Sequence, residues 1–506
     1  EGEYVSVDGT VIEGEGGVDK SAITGESIPE EIAVGSYVVS GSILKKGYIV
    51  VKAENTVENT VFYKIVEAVK AAGASKAPVQ RLADKIAGFF VPSVIAVALI
   101  TYIIHRLTGS AVYNSFNFAI SVLVISCPCS LGLATPVAVM VASGKGASFG
   151  VLYKNARAIQ DLSKANCVLL DKTATITKGT PEVTDYINYS DISDKEIKGV
   201  VSALEEKSNH PLSIPLINFC KETDFKAEEY SYVSGKGING KVNGKNYYLG
   251  AYNEPVPEDL TGKTLVALYS DEKLIALFGI FDDIKDDSAA GIEKLKNDGI
   301  KTVMISGDNE GAAKLIAKKA GISEVNFNVL PEGKAYIVQK YKDKGYFTVM
   351  AGDGINDSPA LKTADIGIAM GTGTDIAIES ADVVLASGKI SSIGTAIDLS
   401  KKTMSIIKGN LFWAFFYNVI TIPLAAGALA FLGVYLTPTI ASAAMSLSSI
   451  FVVLNALRLN RFTADKKLKK GEKGNMKISI EGMMCMHCAG RVKEALEKVS
   501  GAKEVE

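Results

Sequence analysis

Carboxylates stand where apolar runs stop. The run "CVLL" (167–170) ends at Asp171, which opens "DKTATITKG" (171–179). Further on come "SGDN" (Ser306 to Asn309), Lys334 within "LPEGK", and "GDGINDSPAL" (Gly352 to Leu361). Together they supply several acids, a hydroxyl and a lysine. Carboxylates gathered at one edge make a hard-oxygen site suited to magnesium, which is held by few protein ligands and by phosphate oxygens. A carboxylate can also attack a phosphoryl group and form an acyl phosphate, provided nearby cations neutralise the charge in flight. Any one of these acids could instead cap a helix or turn, but that explanation is strained for the whole set.

A second chemistry is carried by sulfur. Six cysteines are present, and four fall in pairs: Cys127 and Cys129 around Pro128, and Cys485 and Cys488 near the C-terminus. Soft thiolates select Cu(I) or zinc over hard ions. A proline inside an apolar helix breaks it and can expose both flanking sulfurs to an ion path. Polar groups in such a segment are functional candidates. Cys167 and Cys220 read as small buried hydrophobes.

These residues need elements to hold them. Four apolar segments, 86–107, 116–143, 411–436 and 437–459, are each long enough to cross a bilayer. The links 108–115 and 430–438 contain no Lys or Arg, whereas Lys145, Lys154 and Arg157 follow the second segment and Lys466, Lys467, Lys469 and Lys470 the fourth. The large polar regions are therefore expected on the cytoplasmic side. A positive mean hydropathy of +0.20 beside 22% charged residues fits spans joined to polar domains. The net charge of −2 shows no basic excess, so no nucleic-acid partner is expected.

The first 60 residues read as a small β domain. From 161, "ANCVLLD", "LIALFGIFD", "GIKTVMISGD", "YFTVMAGD" and "ADIGIAM" alternate with amphipathic helices, the pattern of a parallel α/β sheet with chemistry at its carboxyl edge. A stretch from about 180 to 273 reads as an inserted domain. The chain opens "EGEYVSVDG", without Met or an apolar run, and reads as a piece whose N-terminus lies upstream.

"DKTATITKG" resembles the phosphorylation motif of P-type ATPases. "TGES" (24–27), "CPC" (127–129), "NHPL" (209–212), "GKG" (235–237) and "GDGINDSPAL" stand in the order of that family's heavy-metal branch, from residue 1 to about 460. The resemblance implies a multidomain membrane protein. It would comprise a β-rich actuator domain (1–75), a transmembrane helix pair with the Cys-Pro-Cys motif (76–160), and a HAD-like α/β phosphorylation domain (161–180 and 274–400) interrupted by an α+β nucleotide-binding domain (181–273). A second helix pair (401–460), a linker (461–475) and a partial, ferredoxin-like heavy-metal-associated domain (476–506) would follow.

The resemblance further implies roles. Asp171 is the phosphorylated nucleophile. Thr173, Ser306, Gly307, Asp308 and Lys334 bind phosphate, and Asp353 holds Mg2+ with Asp171 and Thr173, supported by Asn356 and Asp357. Glu26 positions the water that hydrolyses the aspartyl phosphate. Glu205, His210, Pro211, Gly235 and Gly237 form the adenine pocket for ATP, with two departures, Asn209 where an acid is common and "GAYN" (250–253) where the family often has Gly-Asn. Cys127, Cys129, Tyr417, Asn418, Met445, Ser448 and Ser449 match the transport site of copper pumps, and Cys485 and Cys488 a Cu(I)-binding tail. Segment 411–459 contains no Asp or Glu, against the zinc pattern. The expectation is ATP-driven export of Cu(I), with Ag(I) as co-substrate, by an integral protein of a bacterial cell membrane that receives its ion from a copper chaperone. Alternatives are a zinc- or cadmium-transporting relative, a HAD-type phosphatase without transport, and a copper-binding module. Ala174 stands where the family has Gly, which matters if the backbone there needs φ > 0.

Overall fold

A computed structural model of the chain describes residues 1–464, leaving out 21–29, 57, 59, 128, 207, 209, 211, 222–224, 234–236, 253, 272, 354–356, 372–379 and 434. Glu26, Pro128, Asn209, Pro211, Gly235, Asn356, Cys485, Cys488 and the whole expected heavy-metal-associated tail thus lie outside the described residues.

Strands β1 (Gly9–Asp19), β2 (Glu30–Ile32), β3 (Tyr37–Val38) and β4 (Ile43–Ala53) form a four-stranded antiparallel sheet in which β1 pairs with each of the others. Val11, Val18, Ile32, Val38 and Leu44 bury its apolar face. Helix α1 (Val61–Ala74), capped by the Thr60 side chain, leads to α2 (Pro78–Leu107), α3 (Val112–Ile125) and α4 (Cys129–Ala147). The helix therefore breaks at the Cys-Pro-Cys motif, where Ser126 Oγ bonds back to the Val122 carbonyl at 2.6 Å.

The next sheet has seven strands: β5 (Val151–Tyr153), β6 (Cys167–Asp171), β13 (Lys301–Ile305), β14 (Glu324–Asn326), β15 (Thr348–Gly352), β16 (Ile366–Met370) and β17 (Val383–Leu385). Their order is β14-β13-β6-β15-β16-β17-β5, parallel throughout except for β5 against β17. Helices α5 (Ala156–Leu162), α8 (Ser288–Asn297), α9 (Glu310–Ala320), α10 (Pro331–Asp343) and α11 (Ser358–Thr363) connect the strands. Between β6 and α8 is inserted an antiparallel sheet of order β7-β12-β11-β10-β9-β8. Its strands are β7 (Glu182–Asn188), β8 (Ala227–Val233), β9 (Gly237–Val242), β10 (Lys245–Ala251), β11 (Thr264–Ser270) and β12 (Lys273–Phe281), packed on α6 (Asp194–Glu205) and α7 (Ser213–Cys220) through Val200, Leu204, Leu216, Leu268 and Phe278. The chain continues into α12 (Ile390–Ala425) and α13 (Pro438–Leu457).

Four sequence expectations change. The seven-stranded sheet begins at Val151 rather than 161, because the three-residue β5 closes its edge against β17. "LIALFGIFD" does not enter that sheet: it is β12, sandwiched between β7 and β11, so the insert reaches Phe281. A strand apolar on both faces reads alike in a parallel and an antiparallel interior. The boundary at 400 falls inside α12, which runs unbroken for 36 residues. Finally, three helical stretches among the described residues are long and apolar enough to cross a membrane, Ala83–Leu107, Val112–Ala147 and Pro438–Arg461. The expected span 411–436 is instead the apolar end of α12, stopping at Ala425, followed by a short 3-10 turn at Ala430–Leu432. Phe89, Leu99, Phe412, Trp413, Val419, Ile450 and Phe451 expose their side chains on these helices, as a lipid-facing surface would.

Candidate functional site

Strands β13, β6 and β15 are neighbours with matched ends: Ile305 lies opposite Asp171, and Leu170 opposite Ala351. Their carboxyl ends bring Ser306 to Asn309, Asp171, Asp353 and Asp357 to one edge. Pro331 opens α10 and places Lys334 in its first turn. The Lys334 ammonium donates to Asp171 Oδ1 and Asp357 Oδ1, each at 2.6 Å, and all three side chains are buried. Neither Asp171 nor Asp357 caps the helical turn that follows it with its side chain. The capping explanation is thereby excluded for these two. Gly352 permits the packing, since a Cβ there would lie 2.2 Å from Asp357 Oδ2.

Carboxylate oxygens of Asp171, Asp353 and Asp357 lie within 4.8 Å of one another. Asp357 Oδ2 is buried with no hydrogen-bond partner among the described residues. A hard divalent cation fits this oxygen set. Burial pushes the Asp171 carboxyl up to about 6, with repulsion from Asp357 and Asp353 set against the pull of Lys334. Burial also works against the charge on Lys334, but Asp171 and Asp357 outweigh it and raise its pKa. Beside the cluster, Lys172 pairs with Asp308 at 2.6 Å, and the Asp308 amide donates to Ser306 Oγ at 3.1 Å. Thr173 is exposed at the start of the loop, and Ala174 takes φ 53°, ψ 0°, a left-handed conformation. The doubt over Ala174 is settled on the strained side.

Sequence reasoning missed the segment 282–288. Thr177 Oγ1 and the Gly179 amide donate to Asp282, Ser288 Oγ donates to the Ile176 carbonyl, and Lys285 Nζ donates to the carbonyls of Ala174 and Gly388. The available signal was "DDIKDD", five charges in six residues directly after an apolar run.

In the inserted domain, Glu205 ends α6 with its carboxylate buried and Oε2 lacking a partner among the described residues, and burial raises its pKa. His210 is exposed, with Nδ1 accepting from the Leu212 amide at 3.2 Å. Gly237 (φ 157°) opens β9, where a Cβ would lie 2.3 Å from the Leu249 carbonyl oxygen. A buried carboxylate with one oxygen left over, near an exposed imidazole, suits a ligand that donates hydrogen bonds, as an adenine amino group does.

In the membrane helices, Cys127 is half-buried at the break and Cys129 begins α4. Helix α4 packs on α12 and α13. Asn418 is buried, Met445, Ser448 and Ser449 are half-buried, and Tyr417 Oη is buried without a partner among the described residues. Tyr417 shares one apolar cluster with Val124, Ile125, Ala441 and Ala444, the near neighbours of Cys127 and Met445. Cys167 and Cys220 are buried, with thiols pushed up to about 12, which leaves them protonated.

The parallel sheet, its aspartate–lysine edge and the apolar helices define the class, a haloacid dehalogenase-like hydrolase domain joined to helices able to cross a membrane. A family model for haloacid dehalogenase-like hydrolases matches residues 165–365, and one for the P-type ATPase actuator domain matches 1–70. A copper-exporting P-type ATPase of Legionella pneumophila is 43% identical over 482 residues, covering 91% of this chain and 65% of that protein. A silver-exporting P-type ATPase of Salmonella typhimurium is 40% identical, over 90% of this chain and 58% of that protein. The crystal structure of a zinc-transporting PIB-type ATPase in its E2.Pi state aligns with TM-score 0.67 and 30% identity, covering 90% of this chain and 77% of that one. The chain belongs to the heavy-metal, or PIB-type, P-type ATPases. It spans 65% and 58% of the length of the two curated relatives.

Proposed function

We propose that the protein drives Cu(I) export, with Ag(I) as co-substrate, at the expense of ATP and through an aspartyl phosphate on Asp171. The observation that carries this reading is the buried Lys334 bridge between Asp171 and Asp357 at the carboxyl edge of the parallel sheet. Asp171 Oδ attacks the γ-phosphorus of ATP, the bond from phosphorus to the bridging oxygen breaks, and ADP leaves with that electron pair. Lys334 holds the attacking carboxylate and neutralises charge beside it. Thr173, Ser306, Gly307, Asp308 and Lys172 surround the phosphoryl oxygens. Asp171, Thr173, Asp353 and Asp357, with Asn356 in support, would hold a magnesium ion, which when bound would supply positive charge against those oxygens. Glu26 orients the water that later cleaves the acyl phosphate and releases phosphate.

Glu205, His210, Pro211, Gly235 and Gly237 receive the adenine. Cys127, Cys129, Tyr417, Asn418, Met445, Ser448 and Ser449 bind the cargo, whose softness matches thiolate and thioether donors. The unpaired Tyr417 hydroxyl and the names of the copper- and silver-exporting relatives support that assignment. The catalytic domains face the cytoplasm of a bacterial cell, where a copper chaperone delivers the ion and Cys485 and Cys488 bind it in the tail. Phosphorylation with labelled ATP, with Cu(I), Ag(I), Zn(II) or no metal, tests the reading on wild type and Asp171→Asn. Labelling is expected only in wild type and only with Cu(I) or Ag(I). Label surviving in Asp171→Asn overturns the nucleophile, stimulation by Zn(II) alone overturns the cargo, and labelling indifferent to metal overturns transport.

A further inference from the structure

Lys285 does a task that neither the phosphoryl chemistry nor the cargo site assigns to it. Its ammonium is held by two main-chain carbonyls, Ala174 at 2.6 Å and Gly388 at 2.8 Å. The first belongs to the loop that leaves the nucleophile; the second lies two residues before α12, the helix that carries Tyr417 and Asn418. These contacts are part of a two-sided bracket. On the loop side, the Lys285 amide donates to the Ile176 carbonyl at 2.9 Å and Ser288 Oγ donates to the same oxygen at 2.7 Å. On the helix side, Asp287 Oδ2 accepts from the Ser391 amide at 2.9 Å, and Lys294 pairs with Asp398 at 2.9 Å. Burial works against the Lys285 charge and lowers its pKa, while Asp287, Asp353 and Asp282 supply the countercharge.

We propose that Lys285 is a positioning residue that ties the backbone of the phosphorylation loop to the head of α12, so that a change at Asp171 is transmitted to the membrane helices. The inference rests on the aspartyl-phosphate reading above. Ala174 gives the arrangement its particular form in this chain. Its left-handed conformation turns its carbonyl onto the ammonium, and the charge-assisted hydrogen bond offsets the cost of a Cβ at positive φ. Because the ammonium meets two rigid carbonyls at once, displacement of one is felt by the other. Small shifts at such a junction are amplified when the elements it joins are themselves rigid.

The test uses the full chain in membrane vesicles and measures phosphoenzyme formed from labelled ATP with and without Cu(I). Lys285→Met is expected to reduce Cu(I) stimulation by about tenfold, the equivalent of one buried charged hydrogen bond, without changing the ATP concentration for half-maximal labelling. Lys285→Arg, which keeps the charge and the donors, is expected to retain most of the stimulation. Adding Ala174→Gly to Lys285→Met is expected to raise the labelling rate but leave the stimulation ratio low. A wild-type ratio in Lys285→Met overturns the proposal, and so does full recovery of the ratio by Ala174→Gly, which would reduce Lys285 to a support for loop shape. Should Lys285→Met fail to accumulate, Asp287→Ala decides, since it removes the Asp287–Ser391 tie to α12 while Lys285 keeps both carbonyl acceptors and the Asp353 and Asp282 countercharges; an unchanged ratio there overturns the coupling. Wild type that forms no phosphoenzyme overturns the functional reading instead.

Discussion

Ala174 occupies a conformation that glycine adopts without penalty and that costs an L-residue about 1 kcal/mol. The cost falls on the loop that must hold Asp171 in line with its target. Ala174→Gly is therefore expected to speed phosphorylation about fivefold, the kinetic equivalent of that strain if it is relieved in the reacting loop. An unchanged rate in rapid-quench labelling would show that the loop is not strained during reaction. Residue types alone identified Asp171, Lys334 and Asp357 as candidates, because clustered acids with one lysine have few other uses. They could not decide the Ala174 backbone, since a sequence does not print φ. Nor did they single out Lys285: the charged run "DDIKDD" marks its segment, but its partners are main-chain carbonyls, which a side-chain pattern does not name.

At the scale of elements, the parallel sheet was legible because β6, β13, β15 and β16 reach a Gly or Asp at their ends or within two residues beyond. β12 was misplaced because its apolar run satisfies both sheets equally, and only pairing with β7 and β11 decides between them. α12 was divided at residue 400 because hydropathy changes there, although helical hydrogen bonding continues through the change. That continuity has a testable consequence. Lys401 and Lys402 are exposed near the middle of α12. Replacing both by glycine softens the helix at about 1 kcal/mol per site without touching either end. Labelling by ATP is expected to persist in this variant while its dependence on Cu(I) falls. Retained Cu(I) dependence in the same labelling assay would show that the two ends communicate by another route.

Across the whole molecule, orientation rests on where lysine and arginine lie. The turn between α2 and α3 and the turn before α13 contain neither residue, while the catalytic domains carry many lysines. An epitope inserted after Gly109 is expected to be reached by antibody only from the membrane face opposite the one that exposes an epitope at Lys45. Access to both from one face would invert or abolish the proposed topology.

The unbroken length of α12 has a geometric consequence. Thirty-six residues of helix span about 54 Å, and Tyr417 lies about 40 Å along it from Ile390. Used as a lever pivoting near its head, the helix turns a tilt of about 5° into a sweep of roughly 3.5 Å at Tyr417, by the same rise per residue. That sweep exceeds the length of a metal–sulfur bond, about 2.3 Å. If Tyr417 belongs to the proposed cargo site, a tilt of that size would be enough to break its coordination shell.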